Sequence, residues 1–120
     1  MRSSLEGIVR RLVDAVPELR PLLQENTDEI DGRVLTYPFL ADVAGLVQAW
    51  ATDQVDSSEL RVRRILGLLE ASFRIGDSDL DDLISLGFVE NLEHRGRSYQ
   101  IVRSSLGPGL LAELERYEQA

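Results

Sequence analysis

The chain has 120 residues, 43% of them hydrophobic, which fits one globular domain over residues 1–120 with a core of its own. It carries 21 acidic residues against 13 basic ones, every basic one an arginine, for a net charge of −8, and that balance argues against a nucleic-acid partner, which normally meets a basic face. Cysteine is absent, excluding disulfides, thiol catalysis and thiolate metal sites; with no secretory signal pattern at the N-terminus and no apolar run of about 20 residues, the expected setting is the cytoplasm with no membrane span.

In chain order, Leu5, Ile8, Val9, Leu12 and Val13 repeat at the spacing of one helix face and predict a first helix. Val16-Pro17 interrupts it, and Pro17 suits the first turn of a second, short helix, where its missing N–H is not needed. The polar stretch 25–33 reads as a loop. Pro38 then opens a helix with Phe39, Leu40, Val43, Leu46, Val47 and Trp50 on one face and Asp42, Gly45 and Gln48 on the other. Ser57 or Ser58 is the expected cap of the next helix, whose buried stripe is Val62, Ile65, Leu66, Leu69 and Phe73, with Glu59–Arg63 and Glu70–Arg74 as ion pairs on its wet side. Gly76 ends that helix, and Asp77 or Ser78 starts another with Leu80, Leu83, Ile84, Gly87 and Phe88 on its apolar face. A loop around His94-Arg95-Gly96-Arg97 follows. Tyr99, Ile101 and Val102 fall in a short helix, with a strand as the competing assignment. Leu106-Gly107-Pro108 stops and restarts the chain before a last helix bearing Leu110, Leu111, Leu114 and Tyr117. The expectation is an all-α fold of about six helices, either a compact bundle or two stacked helical hairpins of a short α-solenoid. Its core is expected around Phe39, Val43, Trp50, Ile65, Leu69, Leu83, Ile84 and Phe88.

Nothing in this pattern points to catalysis, a cofactor or a metal. His94 is the only histidine and has no nucleophile or orienting partner near it in sequence, so a solvated loop histidine is expected. Asp77-Ser78-Asp79-Leu80-Asp81-Asp82 resembles a calcium loop only superficially. Such a loop would place glycine at 82 and glutamate at 88, where the chain has Asp82 and Phe88. Acids that complement a helix N-terminus explain the run better.

The helix over residues 79–92 carries a second feature. Leu86 and Val89 project away from its main apolar face, flanked by Asp79, Asp82 and Glu90. Burial of the helix on both sides would account for them; so would an apolar spot in an acidic strip made for a basic partner. Asp77, Asp79, Asp82, Leu86 and Glu90 are therefore the candidate partner-binding residues. Residues 83–102 also imitate a winged helix, with wing strands at 90–93 and 98–102, although the preceding helix would bring Asp79, Asp81 and Asp82 toward phosphates.

Three segments together resemble a family of uncharacterised, mostly actinobacterial, all-helical domains of unknown function. They are Pro38-Phe39-Leu40-Ala41-Asp42-Val43 with Trp50; Gly76-Asp77 with Leu83-Ile84 and Phe88-Val89-Glu90-Asn91-Leu92; and Leu106-Gly107-Pro108 with Leu111 and Leu114. The resemblance spans residues 36–116 and departs at Gly87, where a small polar residue is expected. It implies an all-α fold with the look of small immunity proteins that neutralise toxins. The function expected is a non-catalytic protein-binding module, an immunity- or antitoxin-like inhibitor whose partner is a basic toxin domain. The alternative is a DNA-binding regulator of winged-helix type.

Overall fold

Apolar residues at helical spacing become helices throughout the computed structural model, which describes residues 4–120. Helix α1 (Ser4–Ala15) buries Ile8, Val9, Leu12 and Val13. Pro17 opens a single 3-10 turn, Pro17–Leu19, which runs into the short α2 (Arg20–Glu25). The loop that follows is tied down: Asn26 donates to the Asp42 carboxylate at 2.9 Å, and Thr27 and Val34 form an isolated bridge. Then come α3 (Thr36–Ala51) and α4 (Asp56–Ser72). Helix α5 (Ser78–Asp82) continues without a break into a π-helical segment, Leu83–Val89. The last two are α6 (Gly96–Ser105) and α7 (Pro108–Glu118). The fold is all-α, with seven α-helices among the described residues where about six are expected.

Helix α3 is the hub. It packs most extensively on the π segment and also touches α1, α2, α4 and α6. A solenoid confines contacts to successive repeats, so the arrangement is the bundle and not the stacked pair of hairpins. One continuous core runs through it, including Phe39, Val43, Ile65, Leu69, Leu83, Ile84 and Phe88. Residues 96–105 are helix, and no strand flanks Arg95–Arg97 among the described residues, so the wing required by a winged helix is not there.

Three expectations need correction. Trp50, near the C-terminal end of α3, is only partly buried against the core, with the Arg61 guanidinium 5.2 Å above its ring. Gln48, assigned to the wet face, is buried: its amide oxygen accepts the Glu93 N–H at 2.7 Å and its amide nitrogen donates to the Glu93 carbonyl at 3.1 Å. That exchange ties the loop after the π segment to α3. Glu70 does not pair with Arg74. Its carboxylate accepts the N–H groups of Gly109 and Leu110 at 2.9 and 3.0 Å, capping α7 from another helix. Glycine at 107 and 109 makes room for it, since a Cβ at either position would lie within 2.8 Å of Glu70.

The N-terminal signals also resolve. Neither Ser57 nor Ser58 caps α4, which begins at Asp56 after Val55; the Ser58 hydroxyl donates to Asp53 instead. Asp77 does cap α5, accepting the Leu80 N–H at 3.1 Å. Helix α4 ends at Ser72, before Gly76, and the chain turns through Arg74 (φ 59°) and Gly76 (φ 101°).

Candidate functional site

The residues singled out by sequence lie on the helix formed by α5 and the π segment. Leu80, Leu83, Ile84, Gly87 and Phe88 point into the protein. Asp79, Asp82, Leu86 and Glu90 are all exposed and recur every three or four residues, so they form one outward row. Leu86 is 46% exposed, a large apolar side chain between carboxylates. Asp77 sits apart from the row in function: hydrogen bonds from Ser4 and from the Leu80 N–H hold its carboxyl below the ordinary value, as befits a helix cap. Val89, expected beside Leu86, is fully buried.

The π segment accounts for that split. Its bonds run i to i+5, as in Glu90 N–H to the Ser85 carbonyl at 2.9 Å, and the wider winding carries Val89 past the side that Leu86 occupies and into the core. It also brings the helix close to α3, where a Cβ on Gly87 would lie 3.0 Å from Leu40 Cβ. From α3, Tyr37 joins the acidic row. Burial and then the charges of Asp82 and Asp79 hold its phenol above the ordinary value, and the residue remains 39% exposed.

Alongside the row, and sharing Asp82 and Leu86 with it, lies a cleft of about 500 Å³. Asp81, Asp82, Ser85 and Leu86 form one wall, Phe73 and Arg74 a second, and Glu113, Arg116 and Tyr117 of α7 a third. Its deepest charged group is Glu113, whose side chain is 7% exposed. One carboxylate oxygen of Glu113 accepts the Ser85 hydroxyl at 2.5 Å; the other accepts Arg116 at 2.6 Å and Arg74 at 3.4 Å. Tyr117 closes the network with its hydroxyl 2.8 Å from that of Ser85. Burial pushes the Glu113 carboxyl up, but the bonds from Ser85 and Arg116, with the charges of Arg116 and Arg74, outweigh it and leave it below the ordinary carboxylate value. Arg74 is itself constrained. Its backbone is left-handed, its N–H donates to Asp81 at 2.7 Å, and its guanidinium lies 5.2 Å from the Phe73 ring.

Paired with two guanidiniums, Glu113 is a weak base toward the Ser85 hydroxyl it accepts. His94 lies in the exposed loop after the π segment, with its ring centroid 5.2 Å from that of Tyr99. No helix among the described residues is long and apolar enough to cross a membrane. Sequence reasoning missed Tyr37, Ser85, Arg74, Glu113 and Arg116. One signal was available: Glu113 occupies the apolar stripe of α7, three residues after Leu110 and four before Tyr117, where a carboxylate calls for a partner.

The family model described as "Domain of unknown function (DUF7674)" matches residues 9–120, nearly the whole chain, and the protein belongs to that family. The match extends further toward the N-terminus than the segments at 36–116 that carry the resemblance, and takes in most of α1 as well as α2. Neither a curated protein nor a solved structure matches the chain.

Proposed function

We propose that this DUF7674 member is a non-catalytic protein-binding module, an immunity- or antitoxin-like inhibitor that occludes a basic bacterial toxin domain. The observation that carries the reading is the row Asp79, Asp82, Leu86 and Glu90, in which an exposed apolar side chain sits among carboxylates that have no ion-pair partner among the described residues. A chain with a net charge of −8 speeds its encounter with a cationic protein. Leu86 and Tyr37 then supply area to desolvate, and tyrosine is enriched among the residues that carry interface energy. Steric occlusion needs no catalytic group. The bland account, in which the acids cap a helix and keep the chain soluble, covers Asp77 well; it leaves the exposed Leu86 without a role.

The test starts from the gene beside this one. Its product, expressed as the isolated toxic domain, should arrest growth, and co-expression of this chain should relieve the arrest. Asp79→Arg with Asp82→Arg should slow association by about tenfold or more at low salt and flatten its salt dependence. Relief that persists with an unchanged on-rate in a folded double variant would remove this surface; a neighbour that this chain neither binds nor neutralises would remove the toxin reading.

A further inference from the structure

We propose that the cleft beneath Leu86 receives an arginine side chain from the partner, and that Arg116 stands in for that side chain in the free protein. The inference rests on the reading above, that the row through Asp82 and Leu86 faces the partner. Those two residues belong to both features, lining the cleft as well as the row. A partner seated on the row therefore borders the cleft.

Charge selects the occupant. Three side-chain carboxylates, Asp81, Asp82 and Glu113, and two guanidiniums, Arg74 and Arg116, line the cleft together with Ala120, an excess of one negative charge among the side chains. The Asp82 carboxylate has no bond of its own among the described residues, and Asp81 spends one oxygen on the Arg74 N–H. An incoming cation that takes the place of Arg116 leaves this balance as it is, whereas an anion would deepen the excess of negative charge. Phe73 and Leu86 give the alkyl stem of an arginine an apolar bed.

Burial selects the stand-in. Glu113 is the one cleft carboxylate withdrawn from water, and a carboxylate so placed must be paired. Of its two cations, Arg116 makes the short bond at 2.6 Å, yet 71% of its side chain is in solvent. It reaches the buried oxygen from outside, along the path an external guanidinium would take. Arg74 is held differently, by its backbone bond to Asp81 and its stacking on Phe73. Exchange of Arg116 for a partner arginine keeps Glu113 paired and frees Arg116 to return to water.

The test uses the full chain and small probes, so it needs no partner. The ¹⁵N-labelled protein is titrated with N-acetyl-arginine amide, with its uncharged isostere N-acetyl-citrulline amide, and with N-acetyl-aspartate amide. The arginine probe alone should shift the amides of Ser85, Leu86 and Tyr117 and the side-chain Nε–H of Arg116. Arg116→Met, a change at an exposed side chain, should bind that probe about fivefold more tightly, because the competing guanidinium is gone. Glu113→Gln should abolish the response. Weaker binding by Arg116→Met, equal response to citrulline, preference for aspartate, or silence toward all three probes would each overturn the proposal. If the probes fail while Asp79→Arg with Asp82→Arg still slows partner association, the cleft occupant falls and the docking row stands. If the probes succeed and the row variants change nothing, the cleft is a cation site and the docking reading falls.

Discussion

Helix α7 begins on a cap that belongs to another helix, and the energetics of that arrangement can be dissected by a double-mutant cycle. The Glu70 carboxylate takes the N–H groups of Gly109 and Leu110 at 2.9 and 3.0 Å. Losing a helix cap costs about 1 kcal/mol, and losing a negative charge at a helix N-terminus costs about 0.3–1 kcal/mol more. Glu70→Ala should therefore destabilise by about 1–2 kcal/mol in urea denaturation, with an unchanged m-value. Gly109 makes the sign informative. A Cβ there would lie 2.8 Å from the Glu70 carboxylate oxygen, against an ordinary contact of 3.4 Å with Phe73. In the wild-type background Gly109→Ala must push the cap away, and the loss consumes the gain of about 0.5–1 kcal/mol that alanine brings to a helix. In the Glu70→Ala background the obstruction is gone, and the same substitution should stabilise by about that amount. The cycle should thus show a coupling of about 1–2 kcal/mol. Additivity within about 0.3 kcal/mol would mean that Glu70 does not cap α7, and the account of Gly107 and Gly109 as space for its carboxylate would fail with it.

Two other predictions follow from burial and hydrogen bonding. Phe88→Ala should cost about 3–5 kcal/mol, since the ring is fully buried; Trp50→Ala should cost less, because its ring is only partly covered and gains support from Arg61, and a loss at Trp50 equal to that at Phe88 in chemical denaturation would contradict this placement. Burial, then the hydrogen bond and charge of Glu118, push the Tyr99 phenol from 10.0 to about 12; the unfolded chain gives up this proton first, so stability should be intact below about pH 10 and decline from there toward pH 12, and Tyr99→Phe should lose that decline. An alkaline slope unchanged in Tyr99→Phe would assign it to another group.

The helices were legible where one face meets one core. In α1 four of the five apolar residues named from spacing, Ile8, Val9, Leu12 and Val13, are buried, and the fifth, Leu5, is partly buried against the core. The restart at Gly107-Pro108 was legible because proline at the first helical position leaves few alternatives. Reading failed where a side chain answers to a partner far along the chain. Glu70 and Arg74 have the spacing of an ion pair, but the helix ends at Ser72 and Arg74 turns away into the left-handed region. Gln48 falls on the polar face of α3 by composition and is buried because the backbone at Glu93 offers both a donor and an acceptor. Gly87, which departs from the small polar residue expected before Phe88, is explained by the approach of α3: the 3.0 Å between its Cβ position and Leu40 Cβ leaves no room for a polar side chain.

The candidate site was half legible for a single reason, the π winding of Leu83–Val89. Spacing counted at an α-helical pitch placed Leu86 and Val89 together, and one i to i+5 segment separates them into a solvent-facing residue and a core residue. The same winding faces Ser85 toward Glu113, next to a Leu86 that faces outward. Ser85 of the buried carboxylate network and Leu86 of the acidic row are thus successive residues of one irregular turn, pinned to α3 through Gly87 and to α7 through Ser85. Such segments are maintained at some energetic cost and recur at functional sites. Here the irregular turn places the exposed Leu86 directly after the residue that bonds Glu113. A partner that seated Leu86 would fix the backbone that also carries Ser85, and with it the side from which the Ser85 hydroxyl approaches Glu113.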